Sequence, residues 1–257
     1  MVTFIVIVVW ARLILIAAAL STTFLSNNKS RNTLIILLIA ALSAANIALL
    51  AAMSLLGTDF PLKHNYDSFC SYILTIGLIL IFSLRSFKTR LPVILILTLM
   101  LIYSASGIHG LALEPSFSIH KRLAWACLFV MFRDFAVACF AVSACLSLCE
   151  LVSPGKHLDT GGTSSGPVYM PVLWGFFLFS LAQVVGSIWT VSGGWGDVWL
   201  WKRSFLFSAV VWIYYAGMMH VKHVPGWTRK LFPALAITGY VIQLFYLHIY
   251  YYLTSTH

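Results

Sequence analysis

Charge is what this chain has least of. Only 9% of its 257 residues are Asp, Glu, Lys or Arg, and just seven are acids. A soluble domain carries about 25% charged residues. With 61% hydrophobic residues and a mean hydropathy of +0.94, a soluble globule could not cover its apolar side chains, because a fold of this length still exposes roughly a quarter of its chain's surface. A secreted enzyme, a soluble nucleotide-binding enzyme and a DNA-binding module are excluded. The chain reads as a polytopic membrane protein, and a lipid bilayer is its first partner.

Other absences narrow the reading. No CxxC pair occurs, which argues against a zinc site or a thiol-redox motif. Cys70, Cys127, Cys139, Cys145 and Cys149 all fall in or at the edge of apolar segments, so no disulfide framework is expected. Met1 to Leu25 lacks the basic start and small-residue cleavage site of a signal peptide, and it reads as the first span. There is no internal repeat. The net charge of +9 is scattered among short loops. It sets orientation in a membrane and is no sign of nucleic-acid binding.

What is present is a series of apolar segments. A spanning helix needs about 20 apolar residues, and eight segments qualify, at about 2–25, 33–56, 69–84, 92–108, 123–151, 171–190, 204–220 and 232–253. The fold class is all-α: a transmembrane helical bundle of about eight spans, forming a single integral membrane domain over 1–257. Pro92 and Pro171 are read as helix starts, where proline is tolerated. Ser153 to Tyr169, with Gly161, Gly162, Gly166 and Pro167, reads as a connector. Alternate loops hold nine and five Lys and Arg. The positive-inside rule puts the richer set in the cytoplasm and both termini outside.

This orientation places His64, His109, His120 and His257 on or near the outer face and His220 at the cytoplasmic end of the seventh span. The first four spans, so bounded, contain no histidine. The outer loop after the sixth span carries Trp189, Trp195, Trp199 and Trp201 with Gly193, Gly194 and Gly196 between them. An interfacial aromatic belt would place tryptophan near many helix ends. Here four of nine crowd within 13 residues. Flat aromatic faces on a permissive backbone suit a large planar ligand, and heme fits that description.

Trp195-Gly196, Trp199 and Trp201 resemble the core of the WWD heme-binding domain, and 186–257 resembles the C-terminal part of the CcsA/ResC proteins of system II cytochrome c biogenesis. The span ending in Met219-His220 and the turn Gly226-Trp227 with Arg229-Lys230 are similar to the family's pattern. So is Phe60-Pro61-Leu62, in the first outer loop at 57–68. His120 with Leu123-Ala124 resembles the family's motif before its fifth span here.

The resemblance implies heme b transport to the outer face and its attachment to an apocytochrome c carrying CxxCH. It implies His120 and His257 as outer axial ligands, Trp195, Gly196, Trp199 and Trp201 as the porphyrin-holding loop, and His220 as a ligand of a second, inner site. It also implies a CcsB/ResB-type membrane partner and a thioredoxin-like thiol reductant. Trp201 and His220 are 19 residues apart, about 28 Å of helix, so the two sites would lie nearly a membrane apart. The membrane would be the bacterial inner membrane or a thylakoid.

The sequence departs from the family at Lys202 and Arg203, where the family has an acid after the tryptophan. The two cations could pair with heme propionates or snorkel to water. The departure keeps alternatives open: a HemX-type heme-binding protein without synthase activity, or a small polytopic transporter. Arg133-Asp134, inside the fifth span, reads as an ion pair, local or interhelical with Arg12, or else as a site. His248, among Phe245, Tyr246, Tyr250 and Tyr251, reads as a hydrogen-bonded core residue.

Overall fold

A computed structural model describes residues 2–25, 28–56, 65–84, 87–110, 123–152, 154, 166–192, 203–221 and 231–255, with side chains at 10–24, 32–48, 70–84, 87–105, 125, 127–152, 154, 167–191, 206–220 and 231–245. Among the described residues there are eight α-helices and no strand: α1 (Val2–Leu25), α2 (Asn28–Leu56), α3 (Asn65–Ser83), α4 (Leu91–Gly110), α5 (Leu123–Val152), α6 (Gly166–Ser192), α7 (Arg203–Val221) and α8 (Leu231–Ser255). The all-α reading holds, and all eight apolar segments are helical. Two described stretches, Cys127–Val152 and Pro167–Val191, are long and apolar enough to cross a membrane.

Several ends differ from the apolar limits. α2 begins at Asn28 and α3 at Asn65, so the last four residues of the 57–68 stretch are helical. Polar residues such as Asn65 and Asp67 are favourable in a first turn, where open N–H groups and the helix dipole favour oxygen and negative charge. α4 runs on to Gly110, so His109 lies in its last turn and the first four helices do contain a histidine. Pro171 is inside α6, not at its start. The helix opens instead at Gly166-Pro167. Proline removes one ladder hydrogen bond, the one that would reach the Pro167 carbonyl, and the next residue is tied to α5. Ser143 Oγ of α5 donates to the Val168 carbonyl at 3.0 Å.

Ser143→Ala should therefore loosen α5 against α6 at the proline. The expected loss is about 1 kcal/mol, read as a lower unfolding midpoint of the detergent-purified protein. An unchanged midpoint would show that the bond contributes nothing.

The chain forms two compact units, 1–118 and 119–257. In the first, α1 packs on α2 and α4, and α3 packs on α2 and α4. Gly77 of α3 sits 3.0 Å, measured from its would-be Cβ, from the Ile39 side chain of α2. Arg90, just before α4, donates to the Phe24 carbonyl at the end of α1, 3.1 Å away. A cation there matches the negative end of the helix dipole. Arg12 is fully buried, and its Nη1 donates to Asn46 Oδ1 of α2 at 2.9 Å and to Cys70 Sγ of α3 at 3.2 Å.

In the second unit one stack joins all four helices. Phe140 of α5 lies against Gly175 of α6, whose would-be Cβ is 2.6 Å from the ring. Phe140 also stacks on Tyr215 of α7, centroids 3.7 Å apart and planes 7° apart. Tyr215 in turn rests on Gly239 of α8. Two rings are thus held between two glycines. Small residues let helices come close where no hydrophobic force acts between them. None of the five cysteines is in a disulfide. Large apolar side chains also face outward, among them Phe82 at 81% and Phe245 at 68% exposure.

Candidate functional site

The site is built on the second unit, and its frame is set by how the helices run. Phe129 meets Trp189, and Ser143 meets Val168, so α5 and α6 are antiparallel. Trp212 Nε1 donates to Ser180 Oγ at 2.9 Å, and Ser208 Oγ donates to Gln183 Oε1 at 3.1 Å. These pairs make α7 antiparallel to α6. Tyr169 and Phe232, near the starts of α6 and α8, have ring centroids 5.7 Å apart. The start of α5, the end of α6, the start of α7 and the end of α8 therefore lie at one end of this unit.

His220 lies at the opposite end, in the last turn of α7. Its ring is exposed, and Nδ1 is 2.8 Å from the Ala216 carbonyl. A carbonyl only accepts, so Nδ1 carries the proton. A neutral imidazole with its proton on Nδ1 has on Nε2 the lone pair a metal ion needs. α7 holds this ring in place through several contacts. Tyr214 donates its hydroxyl to the Leu235 carbonyl of α8 at 2.8 Å. Tyr215 is locked by Phe140, while Ser208 and Trp212 tie α7 to α6.

At the other end, Trp189 and Phe129 pack with centroids 6.1 Å apart, and Gly186 lets Phe129 approach α6. The Arg133 guanidinium lies 5.7 Å from the centre of the Phe129 ring. Its Nε and Nη2 donate to Asp134 Oδ1 at 3.1 and 3.0 Å. The local ion pair read from the sequence is present. The Arg133–Phe129–Trp189 cluster was not foreseen. Its signals are an Arg four residues after Phe129 and a Gly three before Trp189, both one-turn spacings.

The other expected site residues, His120, His257, Trp195, Gly196, Trp199 and Trp201, lie outside the described residues, as do Lys202, His64 and the side chains of His109 and His248. In sequence, His120 comes three residues before α5, Trp195 to Trp201 join α6 to α7, and His257 comes two residues after α8. The helix ends that flank them are the four that lie together. Among the described residues no group of three His, Cys, Asp or Glu side chains could hold a bare metal ion.

Over part of its length the chain is similar to proteins described as cytochrome c biogenesis protein CcsA. The protein of Prochlorococcus marinus strain MIT 9215 is 31% identical over 107 residues, 41% of this chain and 33% of that protein. That of strain AS9601 is 29% identical over the same shares. That of subspecies pastoris is 27% identical over 113 residues, 43% of this chain and 35% of its own length. The similarity thus spans about a third of these relatives. No family model matches the chain, and no solved structure does.

Proposed function

We propose that this protein is a membrane-embedded heme carrier of the CcsA kind, acting in cytochrome c biogenesis. The carrying observation is the arrangement of helix ends. The ends next to His120, Trp195 to Trp201 and His257 gather on one side of the second unit, and His220 stands at the other with its Nδ1 on the Ala216 carbonyl. The partial similarity to CcsA proteins supports the same reading.

In this reading the chain crosses the membrane eight times with both termini outside, in a bacterial inner membrane or a thylakoid. His220 would hold heme b at the inner side, with the second axial ligand supplied by a CcsB/ResB-type partner. At the outer side His120 and His257 would be the axial pair, and Trp195, Gly196, Trp199 and Trp201 would cradle the ring. Bound heme supplies the vinyl groups that the thiols of CxxCH add across. The chain's own residues orient it, keep both axial positions filled, and exclude water from its apolar faces. A thioredoxin-like reductant would keep the apocytochrome thiols reduced. Two imidazoles suffice for axial ligation, and an Nδ1 held by the Ala216 carbonyl leaves Nε2 of His220 as the ligating atom.

Lys202, where the family has an acid, favours a second reading: heme is bound, as by a HemX-type protein, without being attached. One experiment addresses both. The protein, co-expressed with a CcsB/ResB-type partner and ample heme, is purified in detergent, and its absorption spectrum is recorded. A Soret band with sharp reduced α and β bands is expected, weakened several-fold in His220→Ala and in His120→Ala or His257→Ala. A colourless protein under these conditions rejects heme carriage. Covalent heme on a co-expressed CxxCH reporter separates attachment from binding alone.

A further inference from the structure

Two polar side chains deep in the second unit have no hydrogen-bond partner among the described residues. Tyr215 is 1% exposed and Gln243 is 0% exposed. Neither the Tyr215 hydroxyl nor either end of the Gln243 amide makes a hydrogen bond within the protein. Helix geometry brings the two toward each other. The Tyr215 oxygen lies 3.0 Å from the would-be Cβ of Gly239 on α8. Gln243 is one turn further along α8, on the same face. A helical side chain leans back over the turn before it, so the Gln243 amide leans toward Gly239 and the Tyr215 hydroxyl. Stacking on Phe140 at 3.7 Å prevents the tyrosine ring from turning away.

A buried hydroxyl and a buried amide are costly when unsatisfied. A methionine would fill the volume of Gln243 at no such cost. Two groups that approach without bonding each other, and that together offer donors and an acceptor, match the needs of bound water, which typically makes about three hydrogen bonds when buried. One water bridges oxygens about 4.6 Å apart. We propose that Tyr215 and Gln243 form an internal water site that joins α7 to α8. The water accepts from the Tyr215 hydroxyl and donates to Gln243 Oε1; Gln243 Nε2 donates to the same molecule or to a second one. The site fixes α7 against α8 five residues before His220, and it stands whether or not the protein carries heme.

The test uses the full chain in detergent, with Tyr215→Phe, Gln243→Met and the double variant. Each single change should lower the thermal midpoint by about 2–4 °C. The double variant should fall no further than the worse single, because either change empties the shared site. A midpoint raised by Gln243→Met would overturn the proposal, since it would mean that the amide is simply unsatisfied. Additive losses would overturn it as well. Infrared difference spectra in H₂¹⁶O and H₂¹⁸O give a second readout. A narrow isotope-sensitive O–H band should be present in the native protein and absent in both single variants. Coupled midpoints without that band would mean a direct Tyr215–Gln243 bond and would sink the water site.

Discussion

Gly175→Ala should destabilise the second unit by about 3 kcal/mol, against the usual sign for its type. An alanine normally improves a helix over glycine, by about 0.5–1 kcal/mol. At position 175 the new Cβ would stand 2.6 and 2.7 Å from two atoms of the Phe140 ring and 3.2 Å from the Ala136 carbonyl. The ring cannot retreat, because it is stacked on Tyr215 and Tyr215 rests on Gly239. The overlap must push α6 from α5 or compress a stack that crosses the whole unit. Overpacking of this kind costs about 1–3 kcal/mol, occasionally more, and the lost helix–helix contact adds to it. Gly217→Ala is the control, since its Cβ would meet nothing within 4 Å, and it should be neutral or slightly stabilising. Thermal unfolding followed by size-exclusion chromatography reads both. Equal behaviour of the two variants would mean that the Phe140–Tyr215 stack is not rigid.

The contrast between these two glycines also marks how far sequence could go. Hydropathy located every helix, because a run of about 20 apolar residues has few other stable homes. It misplaced ends wherever polar residues remained helical, as at Asn28, Asn65 and His109. A hydropathy window reads side-chain polarity, while a helix end is set by backbone hydrogen bonding. Pro171 was taken for a start because proline favours the first turn. The structure uses Pro167 there and ties the turn before Pro171 to α5 through Ser143, 25 residues away in sequence from Val168. No local pattern encodes such a partner. Gly175 and Gly217 look alike in sequence, and only packing separates them.

The site was legible in a different measure. His220 stands out through its resemblance to the family's helix-end histidine, and the structure adds what the sequence could not contain: a carbonyl one turn earlier that holds Nδ1. The gathering of four helix ends depends on α5–α8 running antiparallel, and eight spans with short loops already imply it. The Arg133–Asp134 pair was expected, whereas the ring beneath Arg133 was not. Gln243 and Tyr215 went unremarked, since a single Gln or Tyr in an apolar run carries no signal until its surroundings are known.

Arg12 carries the second large effect. It is fully buried in α1, and its side chain ends in a guanidinium cation. Such a charge is tolerated in an apolar bundle only if its donors are met. Asn46 Oδ1 meets one at 2.9 Å, and Asn46 is itself held by its Nδ2 bond to the Leu42 carbonyl at 3.0 Å. Cys70 Sγ, a weaker acceptor, shares the same nitrogen at 3.2 Å. Asn46→Leu keeps the volume and the apolar fit but removes the oxygen. The expected loss is about 2–3 kcal/mol, the worth of a hydrogen bond to a charged group. Asn46→Asp keeps an oxygen in place and adds an opposite charge, so it should hold near native stability despite losing the bond to Leu42. Cys70→Ala should cost less than Asn46→Leu, because sulfur accepts weakly. Protease resistance of the 1–118 unit in detergent, measured across a temperature series, ranks the three. If Asn46→Leu proves as resistant as the native protein, the guanidinium does not depend on this oxygen, and α2 is held to α1 by apolar packing alone. If Asp rescues where Leu fails, the buried cation is what fixes the register of the first three helices. A neutral residue at position 12 would then loosen the unit even though it makes α1 easier to insert.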